Sequence, residues 1–299
     1  MARLRPLPLL GLAVGCAGAV AATYAVLVRT HRGQRVDQGA FDGRAIASAT
    51  AHDAAQQLLT TISVGTLAVA IAALVVQALV RRRVALALVA GTAIGGSVLT
   101  TQLLKRVLER PDLLIDGRLY ANSFPSGHAT IAFAVGVAAT LVAPPRARRL
   151  VSVLAVAYAA AVGIAVIAAG WHRPSDVAGA YFVVGTWAAL AALLDLVLER
   201  RRGGAAAWPR PAVARSYLVI GGVLLAAGYA STLAIVAAGR AGAIDWTAVN
   251  AAFAGACVAV AGLAAVLMAA LLGAVRAAHP APARRTPRPR APATATRRG

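Results

Sequence analysis

The sequence predicts an all-α, polytopic membrane helical bundle, and three observations predict it. Of the 299 residues, 60% are hydrophobic and only 13% are charged. The apolar residues form unbroken runs rather than amphipathic stripes. The cations gather at every second connection between those runs. Crossing a bilayer core of about 30 Å takes roughly 20 apolar residues per helix. A backbone in lipid must satisfy its own hydrogen bonds, which selects helices.

About eight runs reach or approach that length: residues 6–28, 58–80, 84–104, 126–143, 150–170, 177–198, 217–239 and 251–275. The first follows Arg3 and Arg5 and continues through Tyr24, Val26 and Val28. Its start also reads as a secretory signal, but the stretch is longer than a signal's apolar region, and Ala13-Val14-Gly15-Cys16 is a poor lipoprotein box. A retained helix is therefore expected. The connection 30–57 carries His31, His52, Asp37, Asp42 and Asp53 without an interpretable motif, and its histidines are expected to be solvated. The chain then divides into a first helix with its outer loop (1–57), a core of spans (58–198), a basic linker (199–216) holding Pro209 and Pro211, an additional helix pair (217–275) and a tail (276–299). The tail, from Pro280 made chiefly of Pro, Ala, Thr and Arg, is expected to be disordered.

The net charge of +20 suggests nucleic acid until its distribution is considered. Arg3, Arg5, Arg81 to Arg83, Arg146, Arg148, Arg149, the arginines from Arg200 to Arg215 and those from Arg276 onward lie on alternate connections. The intervening connections hold most of the acidic residues and are nearly neutral. By the positive-inside rule both termini face the cytoplasm of a multi-pass cell-membrane protein. The basic loops there meet anionic lipid, and no nucleic-acid partner is implied. The two cysteines, Cys16 and Cys257, both lie in apolar runs and suggest no disulfide. Oligomeric state is not legible.

Topology also sorts the polar residues. The connections 105–126 and 171–175 fall on the same, outer side, so Lys105, Arg110, His128, His172 and Asp176 can meet there. Lys105 is the only lysine in the chain. A compact ammonium binds phosphate as a point charge, although snorkelling at a helix end would place a lysine there as well. In SFPSGHAT (123–130), Ser126 is a good N-cap, Pro125 stiffens the approach and Gly127 lets a ligand come close to the backbone. A helix N-terminus of this kind attracts phosphate, and His128 in its first turn can donate a proton. An ordinary capped span with an interfacial histidine is the plainer reading. In GWHRPSDVAG (170–179), His172 and Asp176 are four apart, so both fall on one face of helical backbone, with Pro174 at a first-turn position. A carboxylate on one imidazole nitrogen leaves the other free to act as base or nucleophile. A metal site from His128, His172, Asp176 and Asp112 is the competing arrangement, and the surrounding arginines oppose a cation. A transporter would keep ionisable groups at mid-membrane, whereas these spans are nearly free of them, Asp195 being the main exception.

SFPSGH and WHRPSD, with Lys105 and Arg110-Pro111 upstream, together resemble the type 2 phosphatidic acid phosphatase superfamily in its membrane-bound bacterial form, across roughly residues 55–198. A phosphate site at the outer end of membrane helices would take a lipid phosphate or diphosphate monoester by lateral entry, its chain staying in the bilayer. The resemblance implies a six-helix phosphatase-like core. It implies that His172 attacks phosphorus to give a phosphohistidine, Asp176 orients it and His128 protonates the leaving alcohol. Lys105, Ser126 and the Gly127 backbone would hold the phosphoryl oxygens, with no metal or other cofactor. The chain departs from the superfamily pattern twice. Its Arg-Pro comes two positions early, the usual place being Asp112-Leu113, and the expected Ser-Arg pair falls on Ala165 and Val166. Arg110 and Arg173 are the candidate phosphate-binding replacements. A phospholipid-binding member with little or no turnover is the alternative.

Overall fold

Caps and breakers cut the apolar runs into ten α-helices in the computed structural model, which describes residues 5–62, 64–80, 83–115, 122–202, 211–240 and 246–279. No strand occurs among the described residues. The helices are α1 (Leu7–Thr23, prolonged by a π turn Tyr24–Val28), α2 (His31–Asp42), α3 (Ala49–Thr60), α4 (Val64–Val80), α5 (Val84–Val107), α6 (Gly127–Val142), α7 (Arg148–Ala168), α8 (Pro174–Arg202), α9 (Pro211–Arg240) and α10 (Trp246–Ala278). Among the described residues six helices are long and apolar enough to cross a membrane, and two apolar stretches, Ala68–Ala78 and Gly127–Val142, are shorter. Arg3, Arg81, Arg82, Pro209 and the tail from Pro280 lie outside the described residues.

The helix α6 packs against α5, α7 and α8. Its Ala132, Phe133, Ala134, Val137 and Ala138 are all buried. Small residues set the spacing: with no hydrophobic drive between helices in lipid, close backbone approach does the work. A Cβ on Gly136 would stand 2.7 Å from the Cβ of Ala155 on α7. Polar links then fix rotation. Thr101 of α5 and Thr130 of α6 share a hydrogen bond of 2.9 Å, and Trp187 of α8 donates from Nε1 to Thr100 Oγ1 at 2.9 Å. Leu7, Val14, Val69, Leu99 and Leu154 are exposed on the outside of the bundle, as lipid-facing residues of a membrane protein are.

The connection 30–57 is more structured than its sequence suggests. Thr30 caps α2 by accepting from Gly33 N at 3.0 Å, and Ser48 caps α3 by accepting from Ala51 N at 3.2 Å. His31 is exposed, as expected, but His52 is half-buried, with Nδ1 3.3 Å from the carbonyl of Ala168. The apolar run 58–80 does not form one helix, because α3 ends at Thr60 and α4 begins at Val64. The hydroxyls of Thr60 and Thr61 donate back to the carbonyls of Gln57 and Leu58, closing that last turn.

At the end of the bundle away from the histidine motifs, charge is buried between three helices. Arg83 before α5 donates to Glu199 of α8 at 2.9 Å, and His279 after α10 lies 3.4 Å from the same carboxylate. The helix α10 therefore belongs to the core packing, lying against α7, α8 and α2 as well as α9.

Candidate active site

The two motif connections meet at one end of α6 and α8. After α7, Gly170 takes a positive φ of 76°, which only glycine adopts without strain. Trp171 and His172 then both donate backbone N–H to the carbonyl of Val166, at 3.0 and 3.1 Å. This tight turn delivers His172 directly ahead of α8. Pro174 opens α8, and Asp176 stands in its first turn. Asp176 Oδ2 accepts from Arg173 N at 3.0 Å, the reach-back of a helix-capping carboxylate. The same oxygen accepts from Ser123 Oγ at 2.5 Å and lies 3.3 Å from His172 Nδ1. His172 Nε2 is thereby left for other work.

The other motif is fastened to this one through the backbone: Ser126 N donates to the Asp176 carbonyl at 2.9 Å. Asn122 holds the approach, donating to the Leu108 carbonyl at 2.7 Å and accepting from Phe124 N at 3.1 Å. Phe124 is fully buried under Gly179. Ser126 caps α6 through Ala129 N, leaving the Gly127 and His128 amides with no intrahelical acceptor, as at the start of any helix. Lys105 Nζ lies 3.9 Å from where a Cβ of Gly127 would stand. His128 packs its ring edgewise on Trp171 at 5.1 Å and lies within electrostatic range of both Lys105 and His172. Lys105, Ser126, Gly127, His128, His172 and Asp176 thus converge.

The two arginines are both held by side chains of α2. Arg110, with its side chain 4% exposed, donates to Asp37 Oδ2 at 3.3 Å and turns Nη1 toward Asp176 Oδ1 at 3.9 Å. Neither Arg110 Nη1 nor Asp176 Oδ1 has a hydrogen-bond partner among the described residues. Arg173 donates from Nε to Gln38 Oε1 at 2.9 Å, and its guanidinium stands 5.8 Å from the Phe41 ring centroid. Burial, and then the like charge of Arg110, hold Arg173 below the usual arginine range. Val166, where the superfamily pattern has arginine, is wholly buried in the core.

Asp37, Gln38, Ser123 and Ser175 join the site without having been singled out in the sequence. Asp37 accepts from Ser175 N at 2.9 Å and from Ser175 Oγ at 2.6 Å. Burial and the neighbouring negative charge of Asp176 push the Asp37 carboxyl up to about 6, against the hydrogen bonds of Ser175 and the charge of Arg110. The separation of 138 residues between Asp37 and Ser175 explains why no local motif revealed the contact. Asp112 is exposed and accepts from Leu114 N. Among the described residues no cluster of His, Cys, Asp and Glu suited to a metal ion occurs.

The family model of the PAP2 superfamily matches residues 84–201, the segment that runs from α5 through α8 and carries both histidine motifs. Over this segment the chain is similar to the PAP2 superfamily. Comparison with curated proteins and with solved structures gives no match. PAP2 proteins are in general phosphatases, and three of the six described helices that are long and apolar enough to cross a membrane, α5, α7 and α8, lie in the matched segment. The helices α1 to α4, α9 and α10 lie outside the PAP2 match, so Asp37 and Gln38 reach the site from beyond it.

An apolar groove of about 350 Å³ between α4 and α5 lies on the helix that carries Lys105, its last lining residue, Leu99, standing six positions before that lysine. Ile71, Leu74, Ala87, Gly91, Ile94 and Val98 line it. Positions 87, 91, 94, 98 and 105 of α5 follow alternating spacings of three, four and seven, which keep them on one side of a helix. A Cβ added at Gly91 or Gly95 would meet no atom within 4 Å. The groove thus points along α5 toward Lys105.

Proposed function

We propose that the protein is a metal-independent phosphatase acting on a lipid phosphate or diphosphate monoester at the extracytoplasmic face of the cell membrane. The observation that carries this reading is the hydrogen-bonded His172–Asp176 couple facing an α6 N-terminus that has Lys105 beside it. Phosphoryl transfer asks chiefly for in-line positioning and fixed positive charge. The α6 amides, the Lys105 ammonium and the helix dipole supply that charge where a phosphate would sit.

In the first step His172 Nε2 attacks phosphorus, the bond from phosphorus to the ester oxygen breaks, and His128 gives its proton to the departing alcohol. Asp176 stabilises the charge that develops on the imidazole through Nδ1. In the second step His128 takes a proton from water as its oxygen attacks phosphorus, the N–P bond breaks and inorganic phosphate leaves. Lys105, Ser126 and the Gly127 amide hold the phosphoryl oxygens, while Arg173 adds positive field from a position different from those usual in the superfamily and Arg110 is held by Asp37. The apolar groove along α5 supports a lipid substrate, since it offers a berth for one chain next to the phosphate pocket. The alternation of basic and neutral connections supports the extracytoplasmic placement.

Phosphate release from a panel of lipid phosphates by the purified protein tests the proposal. Release by the wild type that His172→Ala abolishes is expected. Wild-type release no faster than that of the variant would overturn the reading and favour a lipid-binding protein without turnover.

A further inference from the structure

Two helix N-termini meet at the site, joined by the bond from Ser126 N to the Asp176 carbonyl, and they are treated differently. The first-turn amides of α6 carry no side-chain cap beyond Ser126, whose hydroxyl serves Ala129. Those of α8 are occupied: Arg173 N is taken by Asp176, Pro174 has no N–H, and Ser175 N is taken by Asp37. Asp37 comes from α2, outside the PAP2 match. Its two oxygens hold three donors, the amide and hydroxyl of Ser175 and the guanidinium of Arg110. Arg110 lies between two carboxylates, at 3.3 Å from Asp37 and 3.9 Å from Asp176. All three side chains are at most 4% exposed. In such a setting a guanidinium that loses one carboxylate is drawn to the other.

We propose that Asp37 is a positioning residue for the His172–Asp176 couple: by taking Arg110 and the first turn of α8, it leaves Asp176 committed to His172. The proposal rests on the phosphatase reading above. Asp37 touches neither imidazole, and it acts through Arg110 and Ser175. Without its charge, Arg110 closes on Asp176, and the carboxylate that should support the developing charge on His172 is spent on a guanidinium instead. The outer helix α2 is then part of the catalytic apparatus.

Asp37→Asn isolates the charge, because an amide oxygen still accepts from Ser175 while the ion pair to Arg110 is lost. The expected result with a lipid phosphate is a fall in kcat of about tenfold or more, with KM within about threefold. The discriminating measurement is the double variant Asp37→Asn/Arg110→Gln, which removes the stranded guanidinium. Its kcat should exceed that of Asp37→Asn by about threefold or more. A residue that merely holds the fold together would show the opposite, with the second substitution adding to the first. If Asp37→Asn does not accumulate in membranes, Ser175→Ala removes only the hydroxyl arm, and a kcat loss without a KM change is expected there. Wild-type kcat in Asp37→Asn, or in Ser175→Ala where that variant stands in, would overturn the proposal while leaving the phosphatase reading intact, as would additive losses in the double variant. Absence of phosphate release from the wild type would overturn both.

Discussion

Gly179→Ala tests whether the packing under the serine-histidine motif sets the chemistry. Gly179 lies one turn into α8, directly over Phe124. A Cβ there would fall against Cε2 and Cζ of the Phe124 ring, well inside the 3.0 Å below which real Cβ contacts are essentially not found, with Cδ2 also at 3.1 Å. Phe124 has no free space to swing into: it is 0% exposed, and the Tyr24 ring stands at 5.8 Å between centroids. The ring has to retreat by about an ångström in a close-packed interior. It carries with it the segment that places Ser126 and Gly127. Overpacking of this kind costs about 1 to 3 kcal/mol of stability, and a misplacement of about 1 Å at a reacting centre can cost about a hundredfold in rate. Gly18→Ala, whose Cβ meets nothing within 4 Å, serves as the control and should leave both properties unchanged or slightly improved. Thermal unfolding in detergent and phosphate release are the assays. The double variant Gly179→Ala/Phe124→Leu should recover part of the loss by shrinking the displaced side chain. Wild-type rate and stability in Gly179→Ala would refute the argument that this contact positions the motif.

Other outcomes follow from separate features. Gly95→Leu fills a groove position that has open space around it, so it should raise KM for long-chain lipid phosphates several-fold while leaving turnover of a short, water-soluble phosphomonoester unchanged; equal effects on both would count against the groove as the chain berth. The Asp37 carboxyl, held at about 6 and therefore above its unfolded range, binds more protons in the folded state between about pH 4 and 6. Its contribution to stability is present below that window and fades as pH rises through it, so the unfolding temperature of Asp37→Asn should change less across pH 4 to 7 than that of the wild type. Glu199→Gln leaves Arg83 and His279 facing a neutral amide, and breaking this half-buried cluster should cost on the order of 1 to 3 kcal/mol and speed amide exchange in the last turns of α10; unchanged exchange there would show that the cluster does not fasten α10.

Hydropathy made most of the helices legible, because the period and length of an apolar run report directly on what lipid tolerates. The 58–80 run misled, since Leu58, Leu59 and Ile62 are apolar and the break after Thr60 depends on hydroxyls closing a turn. The helices of the 30–57 connection announced themselves only through caps at Thr30 and Ser48, signals worth about 1 kcal/mol that polar surroundings easily hide. At the site, His128, His172 and Asp176 were readable because each stands in a short motif and topology sends both motifs to one end, and Lys105 because it is the chain's only lysine. Asp37 and Gln38 were not: nothing local separates Asp37 from Asp42 or Asp53, and the α8 residues they hold, Ser175 and Arg173, are more than a hundred positions away. The destination of Arg110 was equally hidden, since its direction is set by Asp37.

The brevity of α6 has a consequence for where chemistry takes place. Sixteen residues at about 1.5 Å each give a rod of about 24 Å, shorter than a hydrocarbon slab of about 30 Å. If the Val142 end lies at one boundary of the slab, the Gly127 end stops short of the other, beneath the level where ions are fully hydrated. An anion drawn to a tip recessed in that way would exchange part of its water shell for fixed dipoles, and the field of one ammonium would reach it with little dielectric damping. Depth, set by the length of a single helix, would then adjust how strongly every nearby charge is felt.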